Sequence, residues 1–305
     1  MREAGTLAAL VLMVLVIATV IPQFRQWENI VNITRNFSFV GIVALGMTLV
    51  ILTGGIDLSV GSVWGMTAVL TAFLMSSGWL MAPAIFVGLL AAAAVGLFNG
   101  LCITRLNMSP FVPTLASLSI ARALALIITH GRPISKFGPQ QQAFYWLGGG
   151  SIAGIPNPTI LFLVLAIIFW VVTSRTVWGR RVYAVGGNEK AARLTGLNVR
   201  ELKVSVYVIS ALCAGIAGIV QASYLSSVTA SLATGEELAV IAATVIGGVN
   251  LSGGEGTIFG VVIGTIMLEV LRNGLLLFGI DPYWQGVFVG AIIVVAVSLD
   301  RLRKH

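Results

Sequence analysis

Long apolar runs, separated by short polar or glycine-containing segments, occupy most of the chain. The runs lie near residues 7–21, 38–54, 58–76, 82–104, 110–129, 158–174, 204–222, 236–251, 256–278 and 284–299. A helix needs roughly 20 predominantly apolar residues to cross the ~30 Å hydrocarbon core of a bilayer. The pattern therefore predicts an all-α fold, a polytopic integral membrane bundle of about ten transmembrane helices. The shorter runs could instead be broken or re-entrant helices.

The first run, from Leu7 to Ile21, could be either a cleaved signal peptide or a permanent helix. No A-x-A-type cleavage site follows it, and Pro22 and a polar segment at 23–36 come next. Signal peptides end in small residues at the cleavage site. We therefore expect an uncleaved first helix.

The composition agrees with a membrane protein. Apolar residues make up 57% of the 305 residues and charged residues only 10%, against roughly 25% charged in soluble domains. Glycine recurs at four-residue spacing, as at Gly256, Gly260 and Gly264, which favours close helix packing in lipid. Cys102 and Cys213 lie singly in apolar runs, so no disulfide, metal site or cofactor is indicated. We expect one transmembrane domain over residues 1–305.

Basic residues are unevenly distributed between the runs. If the N-terminus lies inside, twelve of the 18 Lys and Arg residues fall on inner segments and four on outer segments. Cytoplasmic loops carry such an excess of basic residues. An even number of crossings also requires both termini to lie on one side. We therefore expect cytoplasmic N- and C-termini, and a net charge of +7 that reflects topology rather than nucleic-acid binding.

Seven of the inner basic residues lie in one loop, at 175–203, which contains a predicted short helix. Asn188 is a suitable N-cap, and Glu189 favours the positive end of the helix. Gly196 can end the helix in a left-handed conformation. Glu189 and Arg193 stand at i, i+4 in the favourable order.

The same helix offers a surface for a partner. Ala191 and Ala192, with Leu194, form a small and mildly apolar face. Asn198, followed three residues later by Glu201, resembles a second cap that leads into the next membrane span. These features predict a cytoplasmic docking helix, although a merely solvated basic loop is the alternative.

A glycine-containing string at 54–61 predicts a break between two membrane helices. Gly54 and Gly55 end one helix, and Asp57 or Ser59 can cap the next. An ionisable residue and free helix ends at membrane depth are tolerated only where they are buried in protein or line a wet cavity. This string is therefore a candidate pathway or gate. The alternative is a tight cytoplasmic turn in which Asp57 is only a cap.

A partial internal repeat involves the same string. Residues 54–61 pair with residues 247–254, so that Asn250 and Ser252 correspond to Asp57 and Ser59. Six predicted crossings separate the two copies, which gives them one orientation. Repeated halves of transporters usually flank the substrate path, so Asn250 and Ser252 join the candidate gate. Chance similarity between glycine-rich turns is the alternative.

The residues from Glu189 to Gly196, read as E-x-A-A-x-x-x-G, resemble the E-A-A-type cytoplasmic loop of ABC importer permeases. Together with residues 179–188 and the string Thr53–Gly61, they resemble the ribose-type branch, which transports monosaccharides. The resemblance covers nearly the whole chain. It implies ABC ATPase subunits, an extracytoplasmic solute-binding protein and a second permease subunit, identical or different, in the bacterial inner membrane. The segments 130–157 and 223–235 would then receive the binding protein.

Three classes of function can be compared. An ABC permease for a small sugar needs no ATP site of its own, and the chain contains no G-x-x-x-x-G-K-[ST] phosphate loop. An ion-coupled secondary transporter of a small polar solute is the alternative, and would use Asp57, Glu255 or Glu269 for coupling. An intramembrane enzyme would need a catalytic constellation, and no Ser/His, paired-Asp or zinc pattern occurs. Arg122 lies within a run and has no evident partner nearby in the sequence.

Overall fold

The computed structural model describes residues 2–281, 283–291 and 294. It is almost entirely helical. The helices are α1 (Arg2–Val20), α2 (Trp27–Leu52), α3 (Val60–Ser76), α4 (Met81–Arg105), α5 (Phe111–Thr129), α6 (Gln141–Gly149), α7 (Asn157–Arg175), α8 (Val177–Gly187), α9 (Glu189–Leu194), α10 (Val199–Leu225), α11 (Glu236–Ile246) and α12 (Ile258–Leu277). Two short strands, β1 (Ser151–Ile152) and β2 (Ile155–Pro156), pair antiparallel.

Six described helices are long and apolar enough to cross a membrane, namely α2, α4, α5, α7, α10 and α12. They confirm the prediction of an all-α, polytopic membrane protein. The helices α1 and α3 are apolar but shorter over their described side chains. The predicted run at 236–251 contains α11, whose 11 residues extend only about 17 Å at 1.5 Å per residue. Of the predicted run at 284–299, residues 284–291 and 294 are helical, and the other positions lie outside the described residues.

The helices α2 and α10 form the centre of the bundle. Over its most apolar stretch α2 is 89% buried, whereas α4, α5 and α7 are only 22–28% buried and lie at the periphery of the bundle. An apolar helix that is covered on all sides belongs in a core, and one with an apolar exposed side belongs against lipid. The burial pattern therefore places α2 among other helices and α4, α5 and α7 at the lipid boundary.

Glycine allows α4 to approach α10 closely. A Cβ atom on Gly100 would lie 2.8 Å from the Cα atom of Val204, and one on Gly96 would lie 2.7 Å from that of Val208. Such distances are too short for a side chain, so any larger residue would separate the helices. The four-residue spacing of these two glycines thus serves helix packing, as predicted.

The connection between α5 and α6 and the connection between α10 and α11 are joined by a pair of backbone hydrogen bonds. Ile134 and Val228 exchange N–H···O contacts of 2.9 Å in both directions. This bridge connects the segment before α6 to the connection between α10 and α11. Both segments belong to the predicted outer surface.

Candidate functional site

The helix α9 is held by a cap at each end. The Asn188 side chain accepts a hydrogen bond of 3.0 Å from the backbone N–H of Ala191. At the other end Gly196 is left-handed, with φ +83°, and Leu197 N–H donates to the Ala192 carbonyl oxygen at 3.2 Å. Asn198 caps α10 in turn by accepting from Glu201 N–H at 3.3 Å. The structure confirms the predicted caps and the predicted short helix.

A network of charges fixes α9 against α10. Glu189 accepts from two Arg193 nitrogens, at 3.2 and 2.6 Å, and from Lys203 Nζ on α10 at 2.6 Å. Partial burial would raise the pKa of Glu189, but hydrogen bonds and charge from Lys203 and Arg193 outweigh it and lower the pKa. Glu189 is therefore ionised at neutral pH, and its carboxylate joins α9 to α10.

The surface of α9 differs in one respect from the prediction. Ala192 is 5% exposed and packs against the helix bundle, so it does not contribute to a free docking face. Leu194, by contrast, is 88% exposed. The helix thus uses one apolar residue to dock onto the bundle and presents another outward.

Both predicted breaks begin with the same helix ending. At the end of α2, Gly54 is left-handed, Gly54 N–H donates to the Ile51 carbonyl and Gly55 N–H donates to the Val50 carbonyl. At the end of α11, Gly248 is left-handed and the N–H groups of residues 248 and 249 donate to the carbonyls of residues 245 and 244. These are two Schellman motifs. In space Gly54 therefore corresponds to Gly248, one residue later than the sequence repeat pairs it.

Both breaks continue with the same side-chain turn. Asp57 Oδ1 accepts from Ser59 N–H at 3.0 Å, and Asn250 Oδ1 accepts from Ser252 N–H at 2.9 Å. Each is an Asx turn, in which a short polar side chain replaces a backbone turn. The chain then enters α3 directly after Ser59, whereas α12 begins several residues beyond Ser252.

The two breaks and the helix before α9 meet at one junction. Gly254 N–H donates to the Leu52 carbonyl oxygen at 2.9 Å. Gly186 of α8 lies so close that a Cβ atom would overlap Leu52 O and stand 2.5 Å from Gly254 N. Tyr183, also on α8, donates from its hydroxyl to the Gly256 carbonyl at 2.8 Å. The helix α8 therefore contacts both the end of α2 and the connection between α11 and α12 directly.

Asp57 is the centre of a fully buried polar network. Besides Ser59 N–H, the carboxylate accepts from Ser59 Oγ at 2.6 Å and from Ser210 Oγ of α10 at 3.1 Å. Asn99 of α4 donates to Ser59 Oγ at 3.0 Å and accepts from Ser117 Oγ of α5 at 2.6 Å. All five side chains are at most 3% exposed. Hydrogen bonds thus connect the break to three helices and satisfy the carboxylate where water is excluded.

Arg122 binds backbone carbonyls. Its guanidinium donates to the carbonyl oxygens of Ala230 at 2.5 Å and Leu232 at 2.8 Å, and weakly to that of Gly61 at 3.4 Å. The planar fork of arginine suits two acceptors on one segment. Arg122 of α5 therefore holds the connection between α10 and α11 against the start of α3.

The structure separates the predicted site residues into two groups. The first group forms and caps α9 and comprises Asn188, Glu189, Arg193 and Gly196. The second group, Asp57 and Ser59, lies in the buried network. Between the two groups lie α8 and residues 250–256. Sequence reasoning missed Ser210, Ser117 and the carbonyl partners of Arg122, because these residues are distant in sequence and their types are ordinary in membrane helices. Among the described residues no group of His, Cys, Asp or Glu could hold a metal ion.

Comparison with known proteins gives a consistent result. The family model described as "Branched-chain amino acid transport system / permease component" matches residues 29–297. "Ribose import permease protein RbsC" of Bacillus subtilis strain 168 is 40% identical over 304 residues, covering 100% of this chain and 94% of that protein. The protein of the same name from Escherichia coli K12 is 36% identical over 305 residues, covering 100% and 95%.

A relative that is named for a different sugar also matches. "D-allose transport system permease protein AlsC" of Escherichia coli K12 is 35% identical over 302 residues, covering 98% of this chain and 91% of that protein. No solved structure matches. The similarity to all three relatives extends over at least 98% of this chain.

Proposed function

Because the chain belongs to the permease family of ABC sugar importers, in its ribose-type branch, we propose that it forms the membrane pathway for a ribose-like monosaccharide or sugar-derived solute. The relatives are named for ribose and D-allose, which are therefore the solutes to test first. ATP hydrolysis belongs to a separate ABC ATPase subunit. A binding protein outside the inner membrane delivers the solute, and a second permease subunit, identical or different, completes the pathway.

The proposed topology has ten crossings, with both termini in the cytoplasm. The excess of basic residues on inner segments supports this orientation, and it places α8 and α9 at the cytoplasmic face. The outer surface then contains the bridge between Ile134 and Val228, where the two predicted docking segments for the binding protein meet. The shared Schellman ending and Asx turn support a repeat of residues 54–61 at 247–254.

One observation supports the coupling role most strongly. The capped helix α9 presents Leu194, 88% exposed, and directly follows α8, whose Gly186 lies against Leu52 and Gly254. A partner that pushes on α9 would therefore act on the end of α2 and on the connection between α11 and α12. We assign Asn188, Glu189, Ala191, Arg193, Gly196 and Asn198 to the ATPase-coupling segment, with Ala192 fixing it to the bundle. The candidate gate responds to this push; it comprises Gly55, Asp57, Ser59, Asn250 and Ser252.

Co-purification with the ATPase subunit tests this assignment. In Leu194→Ala the exposed contact is lost and the caps remain, so we expect ATPase association to weaken about tenfold, as for loss of a well-buried interface leucine. Leu80→Ala, which removes a leucine 63% exposed just before α4, is the matched control and should bind as wild type. Deletion of residues 188–196 should abolish association while membrane insertion persists. Unchanged co-purification in both α9 variants contradicts the assignment.

A further inference from the structure

A groove opens between the last turns of α4 and the first turns of α10. It has a volume of about 1000 Å³, and its walls are mostly apolar. Leu97 and Leu101 line one side, and Val208 and Ile209 line the other. Leu97 is 45% exposed, so the groove is accessible from the surface of the bundle.

One end of the groove is basic. Arg105, the last residue of α4, and Arg200, in the first turn of α10, both line it and are both exposed. Neither arginine has an ion-pair partner among the residues that the structure describes. Glu201 is the single acidic residue of the lining. The groove end therefore keeps an excess of positive charge and two free guanidinium groups.

The dimensions of the groove suit one leaflet of a bilayer. Leu97 and Arg105 are eight residues apart on α4, which corresponds to about 12 Å along the helix axis. Half of a ~30 Å hydrocarbon core is about 15 Å. In the proposed topology the apolar walls therefore lie within the cytoplasmic leaflet, and the two arginines reach the level of the lipid headgroups.

We propose that this groove binds an anionic phospholipid, with an acyl chain along the outer surface of the seam between α4 and α10 and the phosphate at Arg105 and Arg200. Basic pockets between membrane helices on the cytoplasmic side suit anionic headgroups. Arginine provides a planar fork that matches phosphate geometry. The Glu201 carboxylate disfavours a second anion, so one phosphate per groove is expected.

Other occupants fit the groove less well. A second copy of the chain related by a twofold axis along the membrane normal would bring Arg105 and Arg200 to the same depth as their symmetry mates, and like charges would face one another. A water-soluble ATPase subunit could contact the arginines but not the apolar walls, which lie between membrane helices. A lipid satisfies both parts of the groove.

Native mass spectrometry of the purified full-length chain tests the proposal with defined lipids. Wild type should retain phosphatidylglycerol in preference to phosphatidylethanolamine. The double variant R105A/R200A should lose about 25-fold in phosphatidylglycerol affinity, since each basic residue near the headgroups contributes about fivefold. The charge-matched control R180A/R181A, which alters exposed arginines of α8 outside the groove, should retain phosphatidylglycerol as wild type does.

A second variant tests the apolar wall without touching the arginines. Leu101→Trp fills the groove and should lower the retention of both lipids, with unfolding in detergent monitored to establish that the bundle persists. Excess inorganic phosphate should not displace the lipid; displacement would mean that the arginines bind a free anion, contrary to the proposal. Equal retention of phosphatidylglycerol by wild type and R105A/R200A overturns the proposal. A disulfide-linked dimer of Leu101→Cys in membranes also overturns it, because that dimer would place a second copy of the chain in the groove.

Discussion

The backbone N–H of Gly254 donates a 2.9 Å hydrogen bond to the carbonyl oxygen of Leu52. This bond joins the end of α2 to the loop after α11, at the point where Gly186 of α8 also makes contact. Three elements that are at least 68 residues apart in the sequence thus meet within a few ångströms. The junction links the coupling segment to both helix breaks, so changes there should alter transport more than they alter ATPase binding.

Gly186→Ala tests this junction. Its Cβ would overlap Leu52 O, and the clash is with backbone that cannot rotate away. We expect lower thermal stability and at least tenfold slower uptake, while the ATPase still co-purifies because α9 is unchanged. Overpacking of a well-packed core typically costs about 1–3 kcal/mol.

Gly187→Ala is the matched control, since a Cβ at that neighbouring position meets nothing within 4 Å. It should leave stability and uptake near wild-type values. If both alanine variants transport equally well, α8 does not act on the junction through Gly186.

The charge network of Glu189 predicts a pH dependence. The pKa of Glu189 is lowered by Lys203 and Arg193, so its contribution is complete above the ordinary glutamate pKa of about 4.3 and is lost as the pH falls through the lowered value. Glu189→Gln should therefore destabilise the protein at pH 7 and lose that effect in strong acid. The side chain is 35% exposed, so solvent screening keeps the difference below about 1 kcal/mol.

Unfolding in detergent at several pH values measures this effect. Glu201→Gln serves as the control, because Glu201 forms no ion pair among the described residues and its side chain does not cap α10. A stability difference for Glu189→Gln that grows as the pH falls would contradict the assigned sign.

The buried network around Asp57 should behave as a unit. Asp57→Ala leaves the donors of Ser59 without an acceptor, which costs about 1–3 kcal/mol for each buried group. Ser210→Ala removes a single donor and should cost less. A double-mutant cycle between the two positions should give a coupling of about 0.6–1.7 kcal/mol, the range found for interhelical hydrogen bonds in membranes. Additive effects would mean that the bond from Ser210 Oγ to Asp57 Oδ2 contributes nothing.

Arg122 should control the accessibility of the segment it holds. Ala230 is 5% exposed, so a cysteine introduced by Ala230→Cys should react slowly with a thiol reagent in detergent. Adding Arg122→Met removes the donors to the carbonyls of residues 230 and 232 and should accelerate labelling several-fold. Arg132→Met, at an exposed arginine, provides the control, and equal labelling in all three backgrounds would show that Arg122 does not hold this segment.

Local features of the site could be predicted from the sequence, and tertiary ones could not. The caps at Asn188 and Gly196 depend on groups within a few residues, so residue type and spacing are sufficient. The distant partner of Asp57, Ser210, lies on α10, 153 residues away, and no spacing rule identifies it. Ala192 could not be assigned to the buried side of α9, because a six-residue helix has too little periodicity to reveal its orientation.

The internal repeat also shows which features the sequence can predict and which it cannot. Sequence alignment pairs Gly54 with Gly247, whereas the left-handed glycine that ends each helix is Gly54 in one copy and Gly248 in the other. The connection from the left-handed glycine to the Asx turn is one residue shorter in the second copy, from Gly248 to Asn250, than in the first copy, from Gly54 to Asp57. Sequence similarity follows the Asx turn, and the backbone difference is visible only in the dihedral angles.

Transport in membrane vesicles tests the central claim most directly. The chain is co-expressed with its ATPase and binding protein, and uptake of labelled ribose, D-allose and other monosaccharides is followed with ATP inside. We expect uptake of at least one sugar that requires the binding protein and disappears when the ATPase cannot hydrolyse ATP. Uptake that persists without ATP and follows a proton or sodium gradient would contradict the ABC permease and establish an ion-coupled transporter instead.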